Sequence, residues 1–134
     1  MSPVLSVDGL IIEDRKIILL KRAIYPFKDF WVLPGGKVKY GETVEQAIVR
    51  EIKEELGIKI RIKRLLGVYS NPSRDPRYHS VSIAYVLKRI SGKIKLNFEA
   101  SQFKYFSLNK LPKKIGFDHR KIINDFKKLT NYEN

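Results

Sequence analysis

The sequence predicts an α+β fold, a mixed β-sheet with flanking helices, in a single domain over residues 1–134. Three observations carry this reading. Residues 44–56 place apolar side chains at helical spacing between a polar N-cap and a glycine. Apolar runs at 4–12 and 17–20, divided by a polar turn, make a hairpin. Alternating segments at 59–69, 80–90 and 103–108 read as further strands, followed by a short helix.

In order, residues 3–12 form a strand, Glu13-Asp14-Arg15 a turn, and 16–21 a second, buried strand. Lys21-Arg22 ends it with two positive charges. Residues 23–33 hold Tyr25, Pro26, Phe27, Phe30 and Trp31, and Pro34 stops the strand there. Such rings either close a sheet edge or offer a base a stacking face, with Tyr25, Phe27 and Trp31 as the candidates. Gly35-Gly36 begin a glycine-rich loop that permits close backbone approach. Thr43 caps the helix, Gln46 completes a capping box, and Gly57 suits a left-handed C-cap. The strand at 59–69 carries a bend or bulge near Lys63-Arg64, and 70–79, with two prolines, is a loop. A strand at 80–90 turns at Ser91-Gly92. A short strand at 93–96 and a connecting loop at 97–102 precede the aromatic strand at 103–108. Asp118 caps a last helix that turns Ile122, Ile123, Phe126 and Leu129 inward, and 130–134 should fray.

Composition excludes several classes. The 134 residues are 43% hydrophobic and 31% charged, as in an ordinary globular domain. No run approaches a membrane span. The N-terminus lacks the layout of a signal peptide, so a cytoplasmic protein is expected. With 0 cysteines there is no disulfide or thiolate metal site. A net charge of +13 suits either nucleic acid or a polyanionic small substrate, and equally a lysine-rich surface that serves solubility.

The chemistry concentrates in one helix. Advancing about 100° per residue, Val44, Ala47, Ile48, Ile52 and Leu56 cover one face. Glu51 and Glu55 overlap the edge of that face, and Glu54 borders it. Three carboxylates at such spacing repel one another and lose solvation at a half-buried edge. A solvated acidic face would lie away from the apolar stripe. A hard divalent cation resolves the conflict: Mg²⁺ or Mn²⁺ takes oxygen ligands and keeps room for a phosphate substrate.

The same stretch matches Gly-x5-Glu-x7-Arg-Glu-U-x-Glu-Glu-x-Gly-U, with U a bulky aliphatic residue. Gly36, Glu42, Arg50, Glu51, Ile52, Glu54, Glu55, Gly57 and Ile58 fill every specified position. The chain therefore resembles the Nudix hydrolases, and the resemblance covers nearly all of it. It implies the Nudix α/β/α sandwich and metal-dependent hydrolysis of a nucleoside diphosphate linked to another group. It implies that Glu51, Glu54 and Glu55 hold Mg²⁺, with Mn²⁺ an alternative. A carbonyl from Gly35 or Gly36 and the carboxylate of Glu99 would be further ligands. Glu51 or Glu54 would act as base, with Glu99 another candidate or simply an exposed loop residue. Arg50 and Glu42 would orient the carboxylates. The strand end at Arg22 would face the substrate phosphates.

Asp75-Pro76-Arg77 with His79, and Phe117-Asp118-His119, resemble segments of the ADP-ribose pyrophosphatase branch. ADP-ribose would give AMP and ribose 5-phosphate. Arg74 and Arg77 would bond phosphate or ribose, or Asp75 would lock one of them into a rigid loop. His79 would bond a substrate hydroxyl or hold the loop, and His119 is expected to be structural. The alternatives are an oxidised (d)NTP or an RNA 5′ end as substrate, and a non-catalytic ADP-ribose-binding sensor. The sensor would bring a DNA-binding domain, which a single Nudix domain does not include. The expected partner is a small nucleotide, with no membrane, and the resemblance implies a homodimer.

Overall fold

Apolar runs buried on both faces of a sheet set the layers of this chain. The computed structural model describes residues 1–133. Strand β1 (Val4–Glu13) turns through Asp14 and Arg15, at φ 50° and 64°, into β2 (Lys16–Arg22). Positive φ at both positions is what a two-residue hairpin turn requires. The β1–β2 ladder joins Ile12 with Ile17 and Glu13 with Lys16, at the turn end. Beyond it the strands part. β1 continues antiparallel to β4 (Gly35–Lys37) and parallel to β6 (Ser80–Ser91), whose far side carries β5 (Lys59–Tyr69). β2 continues antiparallel to β3 (Trp31–Val32) and β7 (Ala100–Ser107). The parting opens a cleft between the two halves of the 7-stranded sheet.

Alternation in β1 and β2 serves two cores. Val7, Ile11, Ile18 and Leu20 face α1 (Val44–Leu56), which buries Ala47, Ile48, Ile52 and Leu56 against them. Leu10, Ile17 and Leu19 face α2 (His119–Glu133), which buries Ile122, Ile123 and Phe126. The result is the expected α/β/α sandwich. Thr43 and Gln46 form the expected capping box, and Gly57 closes α1 at φ 71°. The β5–β6 register shifts between Ile62 and Arg64, where a bulge was expected. No helix among the described residues is long and apolar enough to cross a membrane.

Four local expectations fail. The glycine-rich loop opens with the strand β4, because residues without a Cβ can lie directly on β1, and stays irregular only from Val38 to Thr43. Residues 93–96 are not a strand: Lys95 and Asn97 instead donate to the carbonyls of Leu56 and Glu55, satisfying the open end of α1. Strand β7 consequently starts at Ala100, inside the expected connection. Asp118 gives its carboxylate to Arg74 rather than to a cap. Helix α2 runs to Glu133, and of the residues expected to fray Asn134 lies outside the described residues.

Ile52 is wholly buried between α1 and the sheet. Ile52→Ala should lower unfolding free energy by about 2–5 kcal/mol, the range for such core truncations. Urea denaturation checks this, and an unchanged midpoint would contradict the packing described.

Candidate active site

The helix α1 brings its glutamates to the cleft because they share the edge of its apolar stripe. Glu55 is 7% exposed. Its Oε1 accepts the N–H of Gly35 at 2.9 Å. Burial raises its pKa well above the ordinary carboxylate range, the Gly35 bond opposes this, and Glu99, Glu51 and Asp8 add to the rise. Burial also raises Glu51, against the bond from Arg50. Glu54 is the outer member, its side chain 50% exposed. This graded exposure follows the helical rotation of the three residues.

Arg50 ties the acidic cluster together. Nε and Nη2 donate to the two oxygens of Glu42 at 2.7 and 3.0 Å. Nη1 donates to Glu51 at 2.9 Å and Glu54 at 3.1 Å, and Nη2 also reaches the Lys37 carbonyl at 2.9 Å. All five guanidinium donors are thus used. Glu42 is held down to about 2, first by Arg50 and then by the Lys39 N–H. Gly36 lies so close to the Glu51 carboxylate that a Cβ there would collide with it. Among the described residues no three acidic side chains stand together at metal-ligating spacing. Arg50 holds Glu51 and Glu54, and Gly35 holds Glu55.

Glu55, Gly35 and Gly36 border a polar pocket of about 90 Å³, which Glu99, Arg22, Arg74 and Arg77 also line. Glu99 sits in the turn before β7, and its charge is felt at both Glu51 and Glu55. Arg22 donates to the carbonyls of Pro26 at 2.6 Å and Tyr25 at 3.2 Å, and burial lowers its pKa. Arg77 is locked to Asp75 through Nε at 3.1 Å and Nη2 at 2.9 Å. Arg74 is buried and grips Asp118, not Asp75, at 2.8 and 2.7 Å. Phe27 lines a larger neighbouring cavity. Three candidates border neither space. Tyr25 is 75% exposed. Trp31 packs edge-on against Phe106, and His79 bonds the Ser70 carbonyl at 3.0 Å.

Asp8 escaped the sequence reading. It is buried on β1, bonded by Ser82, 3.6 Å from Arg74 Nη2 and 3.5 Å from His119 Nε2. His119 Nδ1 accepts the Leu33 N–H at 2.9 Å, so this ring is neutral and structural, and its burial lowers its pKa. The overlooked signal was an acid inside the apolar run from Val7 to Ile12, since a buried carboxylate requires partners.

Comparison with known proteins places the fold and the family. A family model described as the NUDIX domain matches residues 3–126. The chain is 51% identical over 131 residues to an ADP-ribose pyrophosphatase of Methanocaldococcus jannaschii, covering 98% of this chain and 77% of the relative. A MutT NUDIX hydrolase from Burkholderia pseudomallei superposes with TM-score 0.83 at 32% identity, covering 93% of this chain and 98% of that one. A bifunctional NMN adenylyltransferase/ADP ribose pyrophosphatase from Francisella tularensis, complexed with AMP and Mn, gives TM-score 0.81 at 27% identity, covering 96% and 42%.

Glu55 makes the metal-free protein pH-sensitive. Its folded pKa lies above the unfolded value of about 4.3. Its contribution to stability is therefore complete below that value and is lost as pH rises through the folded pKa. Glu55→Gln removes the charge while its amide oxygen can still accept from Gly35. In chelator, the variant should match the wild type near pH 4 and melt increasingly above it toward pH 8 (both values approximate). Thermal unfolding across that range reads the difference, and a constant difference would show that Glu55 is not the group responsible.

Proposed function

The chain belongs to the Nudix family, and from that premise we propose that it hydrolyses ADP-ribose to AMP and ribose 5-phosphate. The observation that carries the reaction class is the row of carboxylates on α1, with Glu51 and Glu54 held by Arg50 and Glu55 bordering a polar pocket. The named activity of the relative from Methanocaldococcus jannaschii supports the substrate.

Glu51, Glu54, Glu55 and Glu99, with a carbonyl of Gly35 or Gly36, would hold a divalent cation. The donor set fits: it is all oxygen, which suits Mg²⁺ and also Mn²⁺. When bound, such a cation neutralises diphosphate charge and makes water more acidic. The remaining chemistry belongs to the chain. Arg50 and Glu42 fix the directions of the carboxylates. Glu51 or Glu54 takes the proton from the attacking water as its oxygen bonds to phosphorus. The P–O bond of the diphosphate bridge then breaks, and the leaving phosphate carries off the bridging oxygen. Arg22 and Arg77 meet the anion on the other side of the pocket. Arg74 acts from beneath, since Asp118 already engages it.

The complete set of α1 carboxylates argues against a sensor that binds without turnover. We further read the protein as one domain over 1–134, cytoplasmic and homodimeric. The net charge of +13 keeps an RNA 5′ end as the second substrate reading.

A panel of ADP-ribose, 8-oxo-dGTP and triphosphorylated or capped RNA, with Mg²⁺ or Mn²⁺, tests the substrate. AMP release should be fastest from ADP-ribose. Inactivity there with rapid turnover of a nucleoside triphosphate would overturn the substrate and leave the reaction class standing. Glu54→Gln and Glu55→Gln should each lose most Mg²⁺-dependent turnover, and full activity in either would refute the metal assignment. Arg50→Lys keeps the charge but not the fork, and should lower metal affinity roughly 10–100-fold, as loss of an orienting partner does.

A further inference from the structure

Arg77 lines the polar pocket, yet its own bonds do not fasten it to the body of the fold. Its backbone N–H, Nε and Nη2 all donate to Asp75, two residues back. Ser73 bonds Asn71, and Pro76 has no N–H to give. Among the described residues, the hydrogen bonds of Ser73, Asp75 and Arg77 thus stay inside the 70–79 loop. Arg74 differs. Its side chain is 4% exposed and reaches out of the loop. Nε and Nη2 grip the two oxygens of Asp118 at 2.8 and 2.7 Å. Nη1 reaches Ser80 Oγ at 3.4 Å, and Nη2 stands 3.6 Å from Asp8 on β1. Residues 73–77 therefore hang on one buried guanidinium.

The far end of that grip bears on the same pocket. Asp118 directly precedes α2, and His119, the next residue, takes the Leu33 N–H at 2.9 Å. Leu33 lies two residues before Gly35, whose N–H holds Glu55 at 2.9 Å. Two consecutive side chains thus tie two parts of the pocket lining to one helix start: Asp118 the segment of Arg77, and His119 the segment of Gly35. Asp118 is not itself in that lining, so it offers an anion there no contact. A buried ion pair adds little to stability alone, because desolvation consumes much of the attraction. A bidentate Arg–carboxylate pair does supply direction.

We propose that Asp118 is a positioning residue for substrate binding: through the fork of Arg74 it fixes residues 73–77, so that Arg77 stays turned to the diphosphate. It touches no reacting atom. The inference rests on the reading of the polar pocket as the diphosphate site.

Two variants open the grip. Asp118→Asn keeps the shape of the side chain and removes its charge. Arg74→Lys keeps a charge beside Asp8 and Asp118 and removes the fork. Each should raise KM for ADP-ribose about tenfold, the scale of one hydrogen bond to a charged group, and change kcat far less. Each is then combined with Arg77→Gln. With Arg77 gone there is nothing left to position, so the further rise in KM should vanish, while the loss in thermal midpoint persists. A role in folding alone gives the reverse: equal KM increments with and without Arg77, as independent sites do, or a lower midpoint with KM unmoved. Either result would overturn the proposal. Should Asp118→Asn not fold, Arg74→Lys decides by the same comparison. Inorganic pyrophosphate, titrated with Mg²⁺ by calorimetry, repeats it without turnover. Its affinity should fall in all three single variants and no further in the doubles. That pattern with ADP-ribose inactive would reject the substrate and leave the positioning role standing. Pyrophosphate affinity unmoved by Asp118→Asn and Arg74→Lys would refute that role.

Discussion

One hydrogen bond sets the geometry on which the site depends: the Gly35 N–H to the buried carboxylate of Glu55. A carboxyl group at 7% exposure is tolerated only with a partner, and backbone supplies it. Backbone can come so near because β4 lies on β1 with no side chain between them. A Cβ at Gly35 would strike the Val7 carbonyl, and one at Gly36 the Glu51 carboxylate. The two glycines therefore fix the depth at which α1 sits against the sheet. The apolar residues of α1 drive it down, and Glu55 and Glu51 go with it because they share the edge of its stripe.

That burial makes repulsion the next problem, and Arg50 answers it. A lysine would bring one compact charge. The guanidinium brings five fixed donors, enough for three carboxylates and a carbonyl. Its pKa rises, first through the Glu42 bond, so it stays charged throughout. Glu42 precedes the helix and Lys37 ends β4, so Arg50 also ties the glycine strand to α1. Two independent links thus hold the same backbone against the same helix, and the carboxylates between them have little freedom to drift.

The sequence made legible what is local. The capping box spans three residues, the C-cap is one glycine, and helical rotation alone ranks Glu55, Glu51 and Glu54 by depth. The hairpin is equally local, from its apolar runs to its polar turn. What stayed hidden was pairing at a distance. Asp75 was expected to hold one of its two neighbouring arginines and it holds Arg77, but Arg74 finds Asp118, 44 residues away. Asp8 meets Ser82 across 74 residues of sequence because β1 and β6 run parallel. The strand at 93–96 failed for a related reason: carbonyls at the end of α1 recruited that backbone, and periodicity carries no record of such a demand. Trp31 was read as a stacking candidate from composition. Only the β3–β2 pairing shows its ring turned onto Phe106.

The same structure gives the charge imbalance a physical meaning. The chain carries 27 Lys and Arg against 14 Asp and Glu, and Asp8, Glu55, Asp75 and Glu99 line the polar pocket. The net field is therefore positive, and the carboxylates of the pocket are a local exception to it. A polyanion is drawn in by the outer field. At the pocket it meets the carboxylates of Glu55 and Glu99 together with the guanidinium groups of Arg22 and Arg77. In the proposed reaction a divalent cation would offset repulsion from those carboxylates, so substrate and cation would favour each other's binding. The basic surface then speeds encounter without selecting a substrate, since it favours any polyanion. Selection falls to the uncharged parts of the ligand and to the walls they touch, where Coulomb attraction does not decide.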